Sequence, residues 1–249
     1  MDMYLPDIPK VEVCFSPSQY DLYRADFDIA VVIDVLRATS AIATALEYGV
    51  EKMIPVSTVE EARELQKQGL IAAAERNGEI VEGFDLGNSP IGYMDPGLKG
   101  KTVALTTTNG TRAINIAAQH QMVVIGALVN LDVVCEYLVN QGKNVLLLGS
   151  GWKNKFNLED TICAGAIADH LIGTGKFQAA EDSTIAAKFI YRSAKENIFS
   201  FLKASSHRRR LRKLNLNEDV KYCLTPNTVR TIPVLKDGEL VKLETTHVG

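Results

Sequence analysis

Residues 27–34, FDIAVVID, are apolar almost throughout and close on a carboxylate, and after VLRA a helical pattern, TSAIATALEY (39–48), follows at once. A strand with no polar face must be covered on both sides. A helix beginning so soon after it makes a strand–helix unit. The alternation recurs: KVEVCF (10–15) reads as a strand, MIPV (53–56) precedes a helix over VEEAREL (59–65), and LIAAAE (70–75) is a further strand. KTVALTT leads to a helix from about Gly110, MVVIGAL to one around LDVVCEYL, and NVLLLGSG to one around LEDTICAGAIADHL. Repeated units of this kind define an α/β chain with a mixed, largely parallel sheet. Residues 182–204 carry a continuous helical pattern, and KYCLTP, TIPVLK and LVKL near the end read as short strands. No low-complexity linker interrupts the 249 residues, which are read as one domain, 1–249. VVIDVLRATSAI echoes VALTTTNGTRAI, leaving an internal duplication open.

Bulk properties exclude several classes. A net charge of -3 argues against binding nucleic acid through overall charge. No apolar run reaches the roughly 18 residues of a membrane span, and MDMYLPDIPK lacks the basic and apolar regions of a signal peptide. Four scattered cysteines without a CxxC pair fit reduced thiols, so a soluble cytoplasmic protein is expected.

Four segments end a strand with unusual polar content: IDVLRATS, AAERNGE, TTTNGTR and GSGWKNKFNLED. Strand ends and helix starts in α/β sheets gather where ligands bind. Helix starts offer free N–H groups and partial positive charge to an anion. Gly110, Gly149 and Gly151 permit close backbone approach, and Arg37, Arg76, Arg112 and Lys153 add cations. Asp34, Glu75, Glu159 and Asp160 carry the opposite sign and suit a hard divalent cation, Mg²⁺, or a general base. Each feature has a plainer reading. Asp34 and Arg37 form a structural ion pair, Thr39 or Ser40 caps its helix, and Glu159 and Asp160 complement a helix dipole.

Other signals are weaker. GSGW has Asn154 where a dinucleotide fingerprint needs its third glycine. No Cys-x5-Arg loop or Arg-His-Gly is present, and Asp34-Val-Leu36 lacks the second acid of the aspartyl-phosphate pattern. The four histidines show no metal spacing, with His120 and His170 expected at the solvent, and Cys163 is a packing residue. HRRRLRK (207–213) reads as a solvated helix face, able to lend a residue to an anion pocket or to touch nucleic acid.

In order, IDVLRATSAIATAL, AERNGE with GFDLGNSP, TTTNGTRAI and GSGWKNKFNLEDTICAGAIAD resemble the 2-phosphosulfolactate phosphatase family over about residues 8–235. The resemblance implies a three-layer α/β/α fold peculiar to that family. It also implies Mg²⁺-dependent hydrolysis of (2R)-2-phospho-3-sulfolactate to 3-sulfolactate and phosphate, on the route to coenzyme M. The family's motif positions fall on Asp34, Arg37, Thr39, Glu75, Arg76, Gly78, Asn88, Ser89, Pro90, Asn109, Gly110, Thr111, Arg112, Gly149, Glu159 and Asp160. On this reading Asp34 and Asp160, with Glu75 or Glu159, hold Mg²⁺. Arg37, Arg112 and the amides of Asn109–Thr111 hold phosphate, Arg76 or Lys153 the sulfonate or carboxylate, with Thr39, Asn88, Ser89 and Gly151 beside them. Asp34, Arg37 and Asp160 are the expected catalytic residues. The partner is a small anionic substrate, neither nucleic acid nor membrane, and a homo-oligomer is the default. The alternatives are a phosphatase for other small phosphorylated 2-hydroxy acids and a non-enzymatic anion-binding protein.

Overall fold

The computed structural model describes residues 8–23 and 26–244. Its strands are β1 (Lys10–Cys14), β2 (Ile29–Ile33), β3 (Lys52–Pro55), β4 (Ile71–Arg76), β5 (Glu79–Ile80), β6 (Thr102–Thr106), β7 (Met122–Gly126), β8 (Val145–Gly149), β9 (Gln178–Ala179), β10 (Pro233–Lys236) and β11 (Glu239–Lys242). Its α-helices are α1 (Ala38–Glu47), α2 (Val59–Lys67), α3 (Gly110–Ala117), α4 (Leu131–Gln141), α5 (Leu158–Gly173), α6 (Asp182–Ala194), α7 (Ile198–Phe201), α8 (Ser206–Lys213) and α9 (Asn217–Cys223).

All these strands join one mixed sheet in the order β5-β4-β6-β3-β11-β10-β7-β2-β8-β1-β9. Two parallel sets, β4-β6-β3 and β7-β2-β8-β1-β9, flank the antiparallel pair β11-β10. Because β11 and β10 pair antiparallel with each other and with β3 and β7, the two parallel sets run in opposite senses. Five strand-to-strand steps separate β6 from β2. At about 20–25° of twist per step, the accumulated rotation exceeds roughly 100° and turns the two sets' carboxyl ends toward each other. The strand ends therefore meet across a curled sheet rather than along one flat edge.

β2 shows why its sequence carries no polar face. Ile29, Val31 and Ile33 enter a core beneath α4, α5 and α8, whereas Ala30 and Val32 enter a second core around α1 and α3. The second core takes residues from β3, β4, β6, β7, β8 and β11, so the sheet wraps around α1 and α3. Nine of the ten α1 residues are buried, and its alanines let the strands close in on it. These helices on both faces give the three-layer α/β/α arrangement.

Several local readings change. The first half of KYCLTP ends helix α9 and the rest is turn rather than a strand, the buried stripe of α9, Asp219, Val220 and Cys223, following helical spacing. The 182–204 pattern breaks into α6, α7 and a 3₁₀ turn, with the Asn197 side chain capping α7. His120 packs edge-on against Tyr20, with Nδ1 3.0 Å from the Phe27 carbonyl, instead of facing solvent; His170 is exposed. The four cysteines are buried and free. No helix among the described residues is long and apolar enough to cross a membrane.

Candidate active site

The N-termini of α1, α3 and α5 converge at the carboxyl end of β2. A Cβ built on Gly110, the first residue of α3, would lie 2.6 Å from the Ala38 Cβ of α1 and 2.9 Å from Asp34 Oδ2. The first turn of α5 reaches the same point, where Asp160 Oδ1 accepts the Val35 amide at 2.9 Å. Each helix start brings its partial positive charge close to Asp34. The expected caps are used differently: Thr39 Oγ1 accepts the Asp34 amide at 3.0 Å, and the Ser40 hydroxyl donates to the Val35 carbonyl at 2.9 Å. The turn between β6 and α3 repeats the device, with Thr111 Oγ1 accepting the Thr107 amide at 3.3 Å. The echo between the two sequences is thus an echo in hydrogen bonding.

Close packing at Gly110 gives a first prediction. Gly110→Ala is expected to push α3 off α1 and lower stability by about 1–3 kcal/mol. Phosphate release is expected to fall further than the stability loss explains, because Asp34 must move. Urea unfolding beside initial rates tests this, and unchanged rates would show that the approach of α3 to Asp34 has no chemical role.

Asp34 faces a narrow, partly open pocket of about 20 Å³, room for about one water molecule. Glu75, Asn88, Asn109 and Arg37 line it from the sheet side, and His207 and Arg210 from α8. Glu75 is held in place, accepting the Gly78 amide at 2.5 Å and the Thr108 amide at 3.2 Å. Arg37 is buried in an ion pair with Asp219, and its Nη2 donates to the Gly78 carbonyl at 2.7 Å. Glu159, on α5, reaches across with Oε1 2.5 Å from His207 Nδ1. Trp152 closes the wall, its ring 5.5 Å from the His207 ring and under the Arg210 guanidinium at 4.4 Å.

Burial and a like-charged neighbour, Asp160, push the Asp34 carboxyl up to about 7. Asp160 is raised too, by burial and then by Glu159. The two are nevertheless unequal. Asp160 accepts hydrogen bonds from Val35 N, Ser150 Oγ, Gly151 N and Asn157 Nδ2, which favour its ionised form. Three buried polar atoms around the cavity have no partner: Asn88 Oδ1, Glu159 Oε2 and Arg210 Nη2. Unpaired groups of this kind are rare in a protein interior and mark a place for a ligand.

The structure brings Asp34, Arg37, Glu75, Asn88 and Asn109 together on the cavity, with Thr39, Gly110, Gly151, Glu159 and Asp160 directly behind them. It does not bring Arg76, Thr111 and Arg112 there; they line a separate open groove with Ser57 and Thr108. Arg76 donates to the Glu75 carbonyl and Thr106 Oγ1, and Arg112 to Asn154 Oδ1. Ser89 is turned to Asp219, its hydroxyl donating at 2.8 Å. Lys153 is exposed, its ammonium 5.6 Å from the Trp152 ring. Trp152, His207 and Arg210 also line the cavity, and Asp219 pairs with Arg37; of these only the run 207–213 had been read as able to lend a residue to an anion pocket. Helical spacing in HRRRLRKL places 207, 210, 211 and 214 on one face, and that signal was available.

Comparison with known proteins gives the family. The family model for 2-phosphosulpholactate phosphatase matches residues 14–238. A "Probable 2-phosphosulfolactate phosphatase" of Caldanaerobacter subterraneus subsp. tengcongensis is 42% identical over 212 residues, 84% of this chain and 88% of that protein. Proteins given the same description in Clostridium perfringens (strain SM101 / Type A) and Gloeothece citriformis are 38% identical over 241 residues and 42% over 225. These alignments cover 94% and 86% of this chain, and 97% and 92% of the respective relatives. With its β2–α1 turn, its Glu75 loop and its α5 start all inside the matched span, the chain belongs to the 2-phosphosulfolactate phosphatase family.

Proposed function

We propose that the chain hydrolyses 2-phospho-3-sulfolactate to 3-sulfolactate and phosphate at the Asp34 cavity, with Mg²⁺, and that the product serves coenzyme M synthesis. The phosphatase activity follows from the family and from the description its relatives carry. The observation that carries the site is the meeting of three helix N-termini on a carboxylate raised to about 7.

The donor set suits Mg²⁺. Asp34 and Asp160 stand together, and Asn88 Oδ1 and Glu159 Oε2 are unpartnered hard oxygens nearby. Among the described residues no three His, Cys, Asp or Glu side chains make a complete cage. Mg²⁺ commonly binds through one or two carboxylates, with water and substrate phosphate filling the rest. Asp34 is the carboxylate that would hold it, with Asp160 at its side. When bound, the ion supplies Lewis-acid polarisation of the phosphoryl group. Glu75 and Glu159 keep the wall in position through Gly78, Thr108 and His207.

The protein's own groups do the rest. The starts of α1 and α3 direct N–H groups at the phosphoryl oxygens, where negative charge must be held as the ester bond breaks. Arg37 adds a fixed positive charge behind Gly78. In its ionised form Asp34 orients the attacking water and accepts its proton. The substrate exceeds the 20 Å³ of the pocket, so binding it widens the space between Asp34 and the Arg210–Trp152 pair.

Phosphate release from 2-phospho-3-sulfolactate, with Mg²⁺ and with EDTA, beside 2-phospholactate and phosphoglycolate, tests this. EDTA-sensitive turnover with at least about tenfold preference for the sulfonate is expected, the scale of one charge-assisted contact. Equal turnover of all three would remove the substrate assignment. Full activity in EDTA would remove the metal. No turnover from folded protein that binds the anions would leave a binding protein.

A further inference from the structure

We propose that Arg210 is the specificity residue of the cavity, holding the second acid group of the substrate, its sulfonate or carboxylate, while the phosphoryl group sits at Asp34. This rests on the reading of the cavity as a phosphatase site and adds the group that selects its substrate.

The phosphoryl end belongs at the helix N-termini, beside Asp34 and any bound Mg²⁺. A three-carbon diacid phosphate also presents acid groups away from that end, and these need a cation on the opposite wall. The cations expected from sequence do not supply one. Arg37 has its two terminal nitrogens on Asp219 and Gly78. Arg76 and Arg112 line another groove, and Lys153 is exposed on the outer side of Trp152. His207 uses Nδ1 on Glu159.

Arg210 differs from all of these. It lines the cavity, and its Nη2 is buried with no hydrogen-bond partner. Its nearest polar side-chain contact, Nη1 to Ser206 Oγ, is long at 3.5 Å. The guanidinium lies over the Trp152 ring at 4.4 Å, a contact that supports the charge without using its N–H groups. A planar fork with an unbonded terminal nitrogen suits a carboxylate or sulfonate through charge-assisted hydrogen bonds. The rest of the basic run is arranged otherwise: Arg209, Arg212 and Lys213 are exposed, and Arg208 stacks on Phe199. Of these four arginines, Arg210 lines the cavity and keeps a buried terminal nitrogen without a hydrogen bond.

The test is binding of 3-sulfolactate, which keeps both acids and lacks phosphate, against inorganic phosphate, by calorimetry on the full chain with Mg²⁺. Arg210→Met is expected to weaken 3-sulfolactate by about 10- to 100-fold, the loss of a charge-assisted pair. Phosphate affinity should change less than about twofold, within 0.4 kcal/mol. Arg210→Lys should recover part of the loss, because an ammonium keeps the charge but not the fork. Equal losses for both ligands, or an unchanged affinity for 3-sulfolactate in Arg210→Met, would overturn the assignment. So would a parent protein that binds phosphate and not 3-sulfolactate. Because binding is read without turnover, a chain that hydrolyses nothing still decides the role of Arg210, and turnover of the parent decides the phosphatase reading separately.

Discussion

Asp34→Asn is expected to melt several degrees higher than the parent at pH 8 in EDTA while losing about 10³-fold or more of its phosphate release. A free aspartate titrates near 3.9, and in the fold Asp34 is raised to about 7 by burial, then by Asp160. Between those values the folded protein holds a proton that the unfolded chain has released. Stability therefore falls as pH rises from about 4 to about 7, and the full penalty is present above 7. One pH unit corresponds to about 1.4 kcal/mol. The penalty is thus a few kcal/mol at pH 8, or about 5–10 °C in a chain of this size. Asparagine keeps the shape and carries no charge, so this part of the pH dependence disappears. Catalysis is lost because the same charge is what holds a cation and orients water. Thermal melts from pH 5 to pH 8 should show the parent falling and the variant flatter. Mg²⁺ should then raise the parent at pH 8 and leave the variant nearly unchanged. A variant that melts below the parent at pH 8, or keeps the parent's slope, would remove the buried-pair account of Asp34.

Which parts of this site the sequence disclosed depends on how local the cause was. Asp34 and Gly110 were legible because strand end, polar turn and helix start lie within a few residues, and their geometry follows from chain direction alone. The lateral order of the strands was not. β10 and β11 come last in the chain but insert between β3 and β7, reversing one parallel set against the other. Nothing in PVLK or ELVK encodes that neighbour. Where the arginine side chains go was hidden for the same reason. Arg37, Arg76, Arg112 and Lys153 were chosen by position near strand ends, yet a guanidinium reaches several ångströms and goes to whichever acceptor the fold presents. For Arg37 that acceptor is Asp219, 182 residues away. His207 and Arg210 were hidden by their own company, since a run of like charges reads as solvated until one face is known to pack on Gly78 and Trp152.

Arg37→Ala is expected to destabilise the chain by about 3–5 kcal/mol, and the cause lies in what remains rather than in what is removed. Arg37 and Asp219 are paired with side chains only 5% and 6% exposed, and Ser89 donates to the second Asp219 oxygen. Deleting the guanidinium leaves a carboxylate in low dielectric with one hydroxyl for company, and an unpaired buried charge costs several kcal/mol. The pair itself is worth much less, because desolvating both charges offsets most of their attraction. Arg37→Leu with Asp219→Leu should therefore recover most of the loss, returning to within about 1–2 kcal/mol of the parent. The exposed pair Lys67–Glu64 sets the contrast: with both side chains more than 60% exposed, its removal should change stability by no more than about 0.5 kcal/mol. Urea unfolding of the four proteins reads these differences directly. Activity should not follow stability, because Arg37 also ties the β2–α1 turn to Gly78 at the cavity wall and places a positive charge there. The double variant should be folded and slow. If it is instead no more stable than Arg37→Ala, the buried pair does not limit stability, and the β2–α1 turn depends on Arg37 through its bond to Gly78.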